Sequence, residues 1–280
     1  MPVDQEQLRQ TCVYESKAPI ETTAAALDEI EGIAAGWHKT RSRLLFAGIL
    51  TIACSLVGLA LFPPVGIVMV ALGVYLIYRR KYYPKGVANG LFRCEFTKAL
   101  SAMLARDTDP QVAATVRLTF DPKRELLSEG VLPNRRNGKQ QLYRASWFSV
   151  ENRLLDGTSF TETIDDLVRE RSFTNPRGKS KRKTRTRHLI SMRFGYPGEV
   201  YGDLTPLAAR IEKEIQLPRS ALVRGLEVND RAVKLKALVT ESADLAQTSA
   251  MLALGVYRVL NLSRRLRDQT RKRFGKGGTQ

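Results

Sequence analysis

Residues 44–78 read LLFAGILTIACSLVGLALF, then PP, then VGIVMVALGVYLIY, without one charged side chain. A helix needs roughly 20 apolar residues to cross a hydrocarbon core of about 30 Å. The first run, 44–62, has 19 residues and meets that length. The second, 63–78 with both prolines, has 16 and reaches only about 24 Å at about 1.5 Å per residue. Proline cannot continue the first helix but suits the first turn of the next, so Pro63 and Pro64 mark a turn between two antiparallel arms. The pattern predicts a helical transmembrane hairpin. A re-entrant wedge in one leaflet is the rival, because the second arm is short; snorkelling by Tyr78, Arg79 and Arg80 would help it reach. A buried helical hairpin of a soluble core is the third reading. The run begins too late, is too long and lacks the small-residue cleavage pattern of a signal peptide.

Lys39, Arg41 and Arg43 precede the hairpin, Arg79, Arg80 and Lys81 follow it, and the turn has no base. The positive-inside rule then predicts both termini in the cytoplasm, for a span or a wedge alike, as in a bacterial inner-membrane protein. Trp37, Tyr75, Tyr78, Tyr82 and Tyr83 fit an interfacial aromatic belt, or ordinary helix packing. Net charge is +17, unevenly spread. Residues 1–37 hold seven acids and two bases, net −5, so the remainder carries +22. Such a body at an anionic leaflet is attracted to it, each nearby Lys or Arg contributing about 1 kcal/mol. A solvated surface is the simpler explanation for any single cluster.

Residues 1–21 read as a flexible acidic arm and 22–82 as a juxtamembrane helix entering the hairpin. The remainder, 83–273, reads as a cytoplasmic α+β domain, and 274–280 as a disordered tail. In the domain, 87–106 has apolar residues three or four apart and predicts an amphipathic helix. Alternating runs at 115–120, 142–152, 159–171, 187–194 and 232–240 predict a mainly antiparallel sheet, with Asp156-Gly157 as one hairpin turn. A short helix at 204–214 and a long C-terminal helix at 242–273 complete it. Length of this order buries a full core.

Two basic elements stand out. Residues 177–188, RGKSKRKTRTRH, follow the turn formers Asn175-Pro-Arg-Gly and read as a protruding hairpin. Extended, they put Lys183, Arg185 and Arg187 on one face and Thr184, Thr186 and His188 on the other. With Arg177, Lys179, Lys181 and Arg182 this forms a rail for the phosphates of lipid head groups or nucleic acid; a solvated loop is the alternative. Gly178-Lys179-Ser180 is no P-loop, since the position needing the earlier glycine is Phe173. The second element is the end of the terminal helix, where Arg258, Arg264, Arg265, Arg267, Arg271, Lys272 and Arg273 crowd. Leu245, Leu252, Val259 and Leu266 recur every seven residues, with Leu262 at a d position, suggesting a coiled coil or packing on the sheet.

No catalytic motif is present. His38 and His188 have no Cys or Ser partner in a recognisable pattern, no glycine-rich cofactor loop occurs, and Asp165 and Asp166 point to opposite faces of a strand. The three cysteines, Cys12, Cys54 and Cys94, lack metal-ligand spacing and are expected as reduced thiols, Cys94 with the option of lipid modification. No ionisable residue lies in the spans to serve transport. Gly58 with Ala60, or Gly66 with Gly73, offer surfaces for homo-oligomerisation, though not as GxxxG.

The segments LTFDPK (118–123), VENRLLDGT (150–158) before a basic hairpin, and LEVNDRAVKLKALVT (226–240) before a helix carry a resemblance. In this order, behind an N-terminal hairpin, the chain resembles an uncharacterised bacterial family of two-span inner-membrane proteins with a cytoplasmic α+β domain of unknown function. The resemblance implies location and no chemistry. The expectation is a non-enzymatic, membrane-anchored interaction module without cofactor, its basic surfaces facing anionic lipid or an acidic protein partner. The alternative is a membrane-tethered nucleic-acid binder using 177–188.

Overall fold

A computed structural model describes residues 3–133, 137–175 and 177–275; side chains of residues 58 and 270–275 are outside it. The side chains of Arg271, Lys272 and Arg273 of the terminal basic cluster, and residues 276–280 of the expected tail, therefore lie outside the description.

The chain opens with α1 (Gln5–Thr11), capped by Asp4, whose carboxylate accepts from the amides of Glu6 and Gln7. It turns at Cys12, in the left-handed region at φ 54°, into β1 (Val13–Ala18). The expected loose arm is thus ordered structure. Leu8, Tyr14 and Ile20 are buried, and burial of such side chains at about 1.5–3 kcal/mol each holds a short segment in place. Helix α2 (Glu21–Leu61) then runs unbroken for 41 residues. Its first turns bury Leu27, Ile30 and Ala34 in the core, and its second half exposes Phe46, Ile49, Leu56 and Val57.

After Phe62 the prolines open α3 (Pro63–Arg79), which folds back against α2. A Cβ on Gly48 would meet Ile77 at 2.6 Å, and one on Gly73 would meet Ile52 at the same distance. Gly66 lies against the backbone of Leu59. These contacts define an antiparallel pair, and they correct the expectation that Gly66 and Gly73 face another copy: both are used within the hairpin. Among the described residues one helix, α2, is long and apolar enough to cross a membrane, by length and composition. Helix α3, at 17 residues, is about 25 Å long, so the second span is not established by the fold.

A short helical turn, α4 (Lys85–Asn89), leads into α5 (Leu91–Leu104). The sheet follows: β2 (Ala114–Thr119), β3 (Glu125–Val131), β4 (Lys139–Arg153), β5 (Ser159–Thr174) and β6 (Ser180–Gly195). Then come α6 (Gly198–Tyr201), α7 (Ala208–Glu214), β7 (Ala221–Val228), β8 (Ala232–Thr240) and α8 (Leu245–Gly275). All pairings are antiparallel, in the order β1-β2-β4-β5-β6-β8-β7, with β3 on the first half of β4. Strands β1, β3 and β7 escaped sequence reading. One sheet face, carrying Phe148, Phe160, Ile164, Ile190, Phe194, Leu235 and Val239, is covered by helices. Helix α8 buries Leu252, Val256, Val259 and Leu260 there, so its apolar stripe packs on its own sheet and not as a coiled coil.

The expected domain boundary at residue 83 therefore moves. Strand β1 pairs with β2, from Val13 opposite Thr119 to Ala18 opposite Ala114. The α+β domain is assembled from chain on both sides of the apolar pair, which is an insertion in it.

Candidate functional site: a basic sheet face beside the apolar helices

Alternation along β5 and β6 sorts their side chains. Phe160, Glu162, Ile164, Asp166, Val168 and Glu170 face the helices, while Thr161, Thr163, Asp165, Leu167, Arg169 and Arg171 face away. On β6 the register opposes Arg171 to Lys183, Arg169 to Arg185 and Leu167 to Arg187. Lys181, Lys183, Arg185 and Arg187 thus line the uncovered face, as expected, and all are exposed. The sheet adds cations that reading one strand missed: Arg169 and Arg171 across the hairpin, then Arg193, Lys234 and Lys236, since β8 places Lys236 opposite Ser191 and Lys234 opposite Arg193. Antiparallel register about the 175–179 turn was the signal that could have found the first two.

Like charges directly opposite on neighbouring strands are destabilising. Among the described residues, Arg169, Lys181, Lys183, Arg185 and Arg187 make no salt bridge to relieve it. A sheet face that accumulates unrelieved positive charge is suited to a polyanionic surface. Arg182 is the exception among the predicted rail residues. It points to the other face and pairs with Glu170, which also binds Arg124 at 2.9 Å; it is removed from the rail. Arg177 and Lys179 sit exposed in the turn, where Asn175 Oδ1 accepts from the Lys179 amide and Gly178 takes φ 76°.

The hairpin extends from a particular end of the sheet. Helix α5 begins where α3 and α4 deliver the chain. Near its start Arg93 donates to the carbonyls of Thr119 and Phe120 at 2.7 and 2.9 Å and to Asp166 Oδ2 at 3.1 Å. Trp147 Nε1 donates to Asp166 Oδ1 at 2.8 Å, and His188 Nδ1 lies at hydrogen-bond distance, 2.8 Å, from the same oxygen. Burial lowers the Arg93 pKa from its usual value, and Asp166 offsets part of that. This network locks the start of α5 to β4, β5 and β6. Asp165, one residue before it, faces the open side and accepts from Arg144 and Ser146. The level of Asp166 is therefore the sheet end nearest the apolar helices, and β5 continues past it for Leu167–Thr174, about 26 Å at strand rise. Strand β3 lies along the same extension with Leu126, Leu127 and Val131 exposed at 49, 47 and 80%.

The base of the apolar pair carries the second basic group. Lys39, Arg43, Arg79 and Lys81 are exposed there. Arg41 donates to the Tyr83 carbonyl at 2.9 Å, tying one arm to the other, and Lys81 lies over the Tyr78 ring. Arg80 is half-buried beside them. Arg9 of α1 stacks on Tyr82 at 3.4 Å from the ring centroid, so the N-terminal segment also abuts this base. Cys94 is fully buried, and burial pushes its thiol up to about 12. Neither property suits lipid modification.

Comparison with protein-family models, with curated proteins and with solved structures found no match.

Proposed function

We propose that this protein is a membrane-anchored, non-enzymatic interaction module that holds a basic sheet extension against anionic lipid. The observation that carries the reading is the position of that extension: the β5–β6 hairpin, with Lys181, Lys183, Arg185 and Arg187 on one face, leaves the sheet at the end where the apolar helices leave the domain. Cations interleaved with exposed Leu126, Leu127 and Val131 match a surface that meets both phosphates and acyl boundary.

The topology belongs to the same proposal. The pairing of β1 with β2, from chain before and after the apolar pair, supports the reading that both flanks share one compartment and that the chain enters and returns. The basic collar selects the cytoplasmic side, at the inner membrane for a bacterial protein. Helix α3 completes the return as a short span or as the second arm of a wedge, with the same sidedness. A protein partner or a second copy would meet the basic face away from the lipid. The non-enzymatic reading rests on the lack of a catalytic motif in the sequence.

The test uses the full chain in lipid nanodiscs, with Cys54 replaced by Ala and a spin label at Lys183→Cys. The label is expected to be close to paramagnetic head-group lipid in phosphatidylglycerol discs and remote in purely phosphatidylcholine discs. Equal exposure to water in both would refute the proposal.

The second reading is a membrane-tethered nucleic-acid binder. It is favoured by the breadth of the positive face, which runs from Arg117 on β2, opposite Ser149 and so in line with Thr163, through Arg171 to Lys236. Base stacking has little support beside Phe173 near the rail, as the buried ring pairs Phe96–Phe148 and Phe160–Phe194 lie on the helix side. Strong RNA binding that falls steeply with salt, through counterion release, would favour this reading.

A further inference from the structure

On the covered side of the sheet, α5 and α8 do not close completely over β5. Between them lies a cavity of about 630 Å³. Its walls are mainly apolar, with Leu104, Leu154, Phe160, Phe194 and Leu254 among them, and Tyr257 adds a buried hydroxyl. Its floor is Glu162, fully buried. Ser249 Oγ donates to Glu162 Oε1 at 2.5 Å, while Glu162 Oε2 has no hydrogen-bond partner among the described residues. Leaving a carboxyl oxygen buried and unpaired costs more than a hydrogen bond normally returns. An all-apolar residue such as Leu on this strand position would fill the same layer as Phe160 and Ile164 without that cost. Burial also raises the Glu162 pKa to about 8, so at neutral pH it is largely a neutral carboxylic acid that both donates and accepts. The rim bears Arg106 and Arg264 with Asp107 and Asp156, two charges of each sign, which gives no net attraction for an ion. A concave, mainly apolar chamber with a few convergent polar groups is the general form of a small-molecule site.

We infer that this cavity is a binding site for a neutral, mainly apolar molecule bearing one hydroxyl or carbonyl group, which completes the hydrogen bonding of Glu162 Oε2. A lipid-derived alcohol or ketone has this chemistry, and the apolar helices bring the domain close to a source of such molecules. The site is separate from the basic face, which lies on the opposite side of the sheet.

The experiment is photolabelling of the full chain in nanodiscs with a diazirine-bearing octanol, followed by peptide mapping. Label is expected on the 100–107 and 249–264 segments, and excess 1-octanol should compete about tenfold better than octane, the value of one buried hydrogen bond. Ala253→Trp, which fills the chamber, should abolish that labelling. Glu162→Leu should keep the labelling but bring octanol and octane within about twofold of each other, while the isosteric Glu162→Gln should retain the preference. Label confined to the apolar helices, equal competition by octane in the parent chain, or a preference that survives Glu162→Leu would each overturn the inference. The first two outcomes are read on the unaltered protein, so a variant that fails to fold does not shield it.

Discussion

Ser16 stands opposite Val116 in the antiparallel register of β1 and β2, although both apolar helices lie between them in the chain. Every pair in that register spans the insertion. The first edge of the sheet, and the start of α2 beneath it, thus depend on chain preceding the apolar pair.

A fragment beginning at Lys85 should therefore not fold as a unit. It loses Leu8, Tyr14, Ile20, Leu27 and Ile30 from the core, on the order of 10 kcal/mol of apolar burial, comparable with the whole stability of a domain. Residues 3–38 joined by a flexible linker to 84–275 should unfold cooperatively in denaturant, whereas 85–275 should not. A cooperative transition in the shorter fragment would show that the N-terminal elements are accessory.

Glu162 makes stability depend on pH. Its folded-state pKa is raised to about 8 from an ordinary 4.5. Between those values the unfolded chain has released the proton that the folded protein keeps, so stability falls as pH rises through this window and levels off above it. The slope is on the order of 1 kcal/mol per pH unit at most. Below about pH 4.5 this group contributes no slope. Denaturant titrations of Glu162→Gln from pH 5 to 8 should be flatter than those of the parent protein; parallel curves would count against the buried acid.

Asp166→Asn should be strongly destabilising. It leaves Arg93, whose side chain is 9% exposed, without its counter-charge, and breaking a buried pair on one side costs about 3–5 kcal/mol. Asp165→Asn should cost less: Asp165 is itself buried, but the Arg144 it leaves unpaired is 45% exposed and stays solvated. Chemical denaturation of the two variants side by side checks the contrast, and equal losses would contradict the placement of these neighbours on opposite faces.

Gly66→Val should separate the two apolar helices. Its Cβ would sit 2.5 Å from the backbone nitrogen of Leu59, which no rotamer change relieves. Distances between spin labels on α2 and α3 in nanodiscs should lengthen and broaden in the variant. Unchanged distances would mean that the helices do not meet at this glycine.

Exchanging Lys181, Lys183, Arg185 and Arg187 for Gln should leave the unfolding midpoint unchanged or raise it, because the exchange removes like-charge pairs across β5 and β6. A marked loss of stability on thermal unfolding would assign these side chains a structural role in place of a surface one.

Local pattern made much of the architecture legible. The uncharged run with its prolines marked two apolar helices, and alternation marked β2, β4, β5, β6 and β8. The face of Lys183, Arg185 and Arg187 followed from strand geometry alone. Strand β1 was illegible because VYESKA is short and charged, and it becomes a strand only through its pairing with β2. Strand β3 is exposed along its length, so it lacks the buried alternation that signals a strand. Arg182 was misplaced because a run of bases does not announce which member has an acid across the sheet, here Glu170. Glu162 was unremarkable as one acid in SFTETIDDL, and only packing by α5 and α8 makes it a buried one.

By itself, then, the sequence determined what each segment does locally: apolar helices where charge is absent, strands where hydrophobicity alternates, a turn at 175–179, and a strongly basic chain. Such features depend on neighbours within a turn or two. Tertiary structure alone decided that the apolar pair is inserted in a domain rather than preceding it. It also decided that the basic hairpin extends at the end of the sheet where those helices leave, and that Glu162 closes a cavity. Each of these depends on contacts between residues distant in the chain, whose register is set by the burial of side chains from several elements at once.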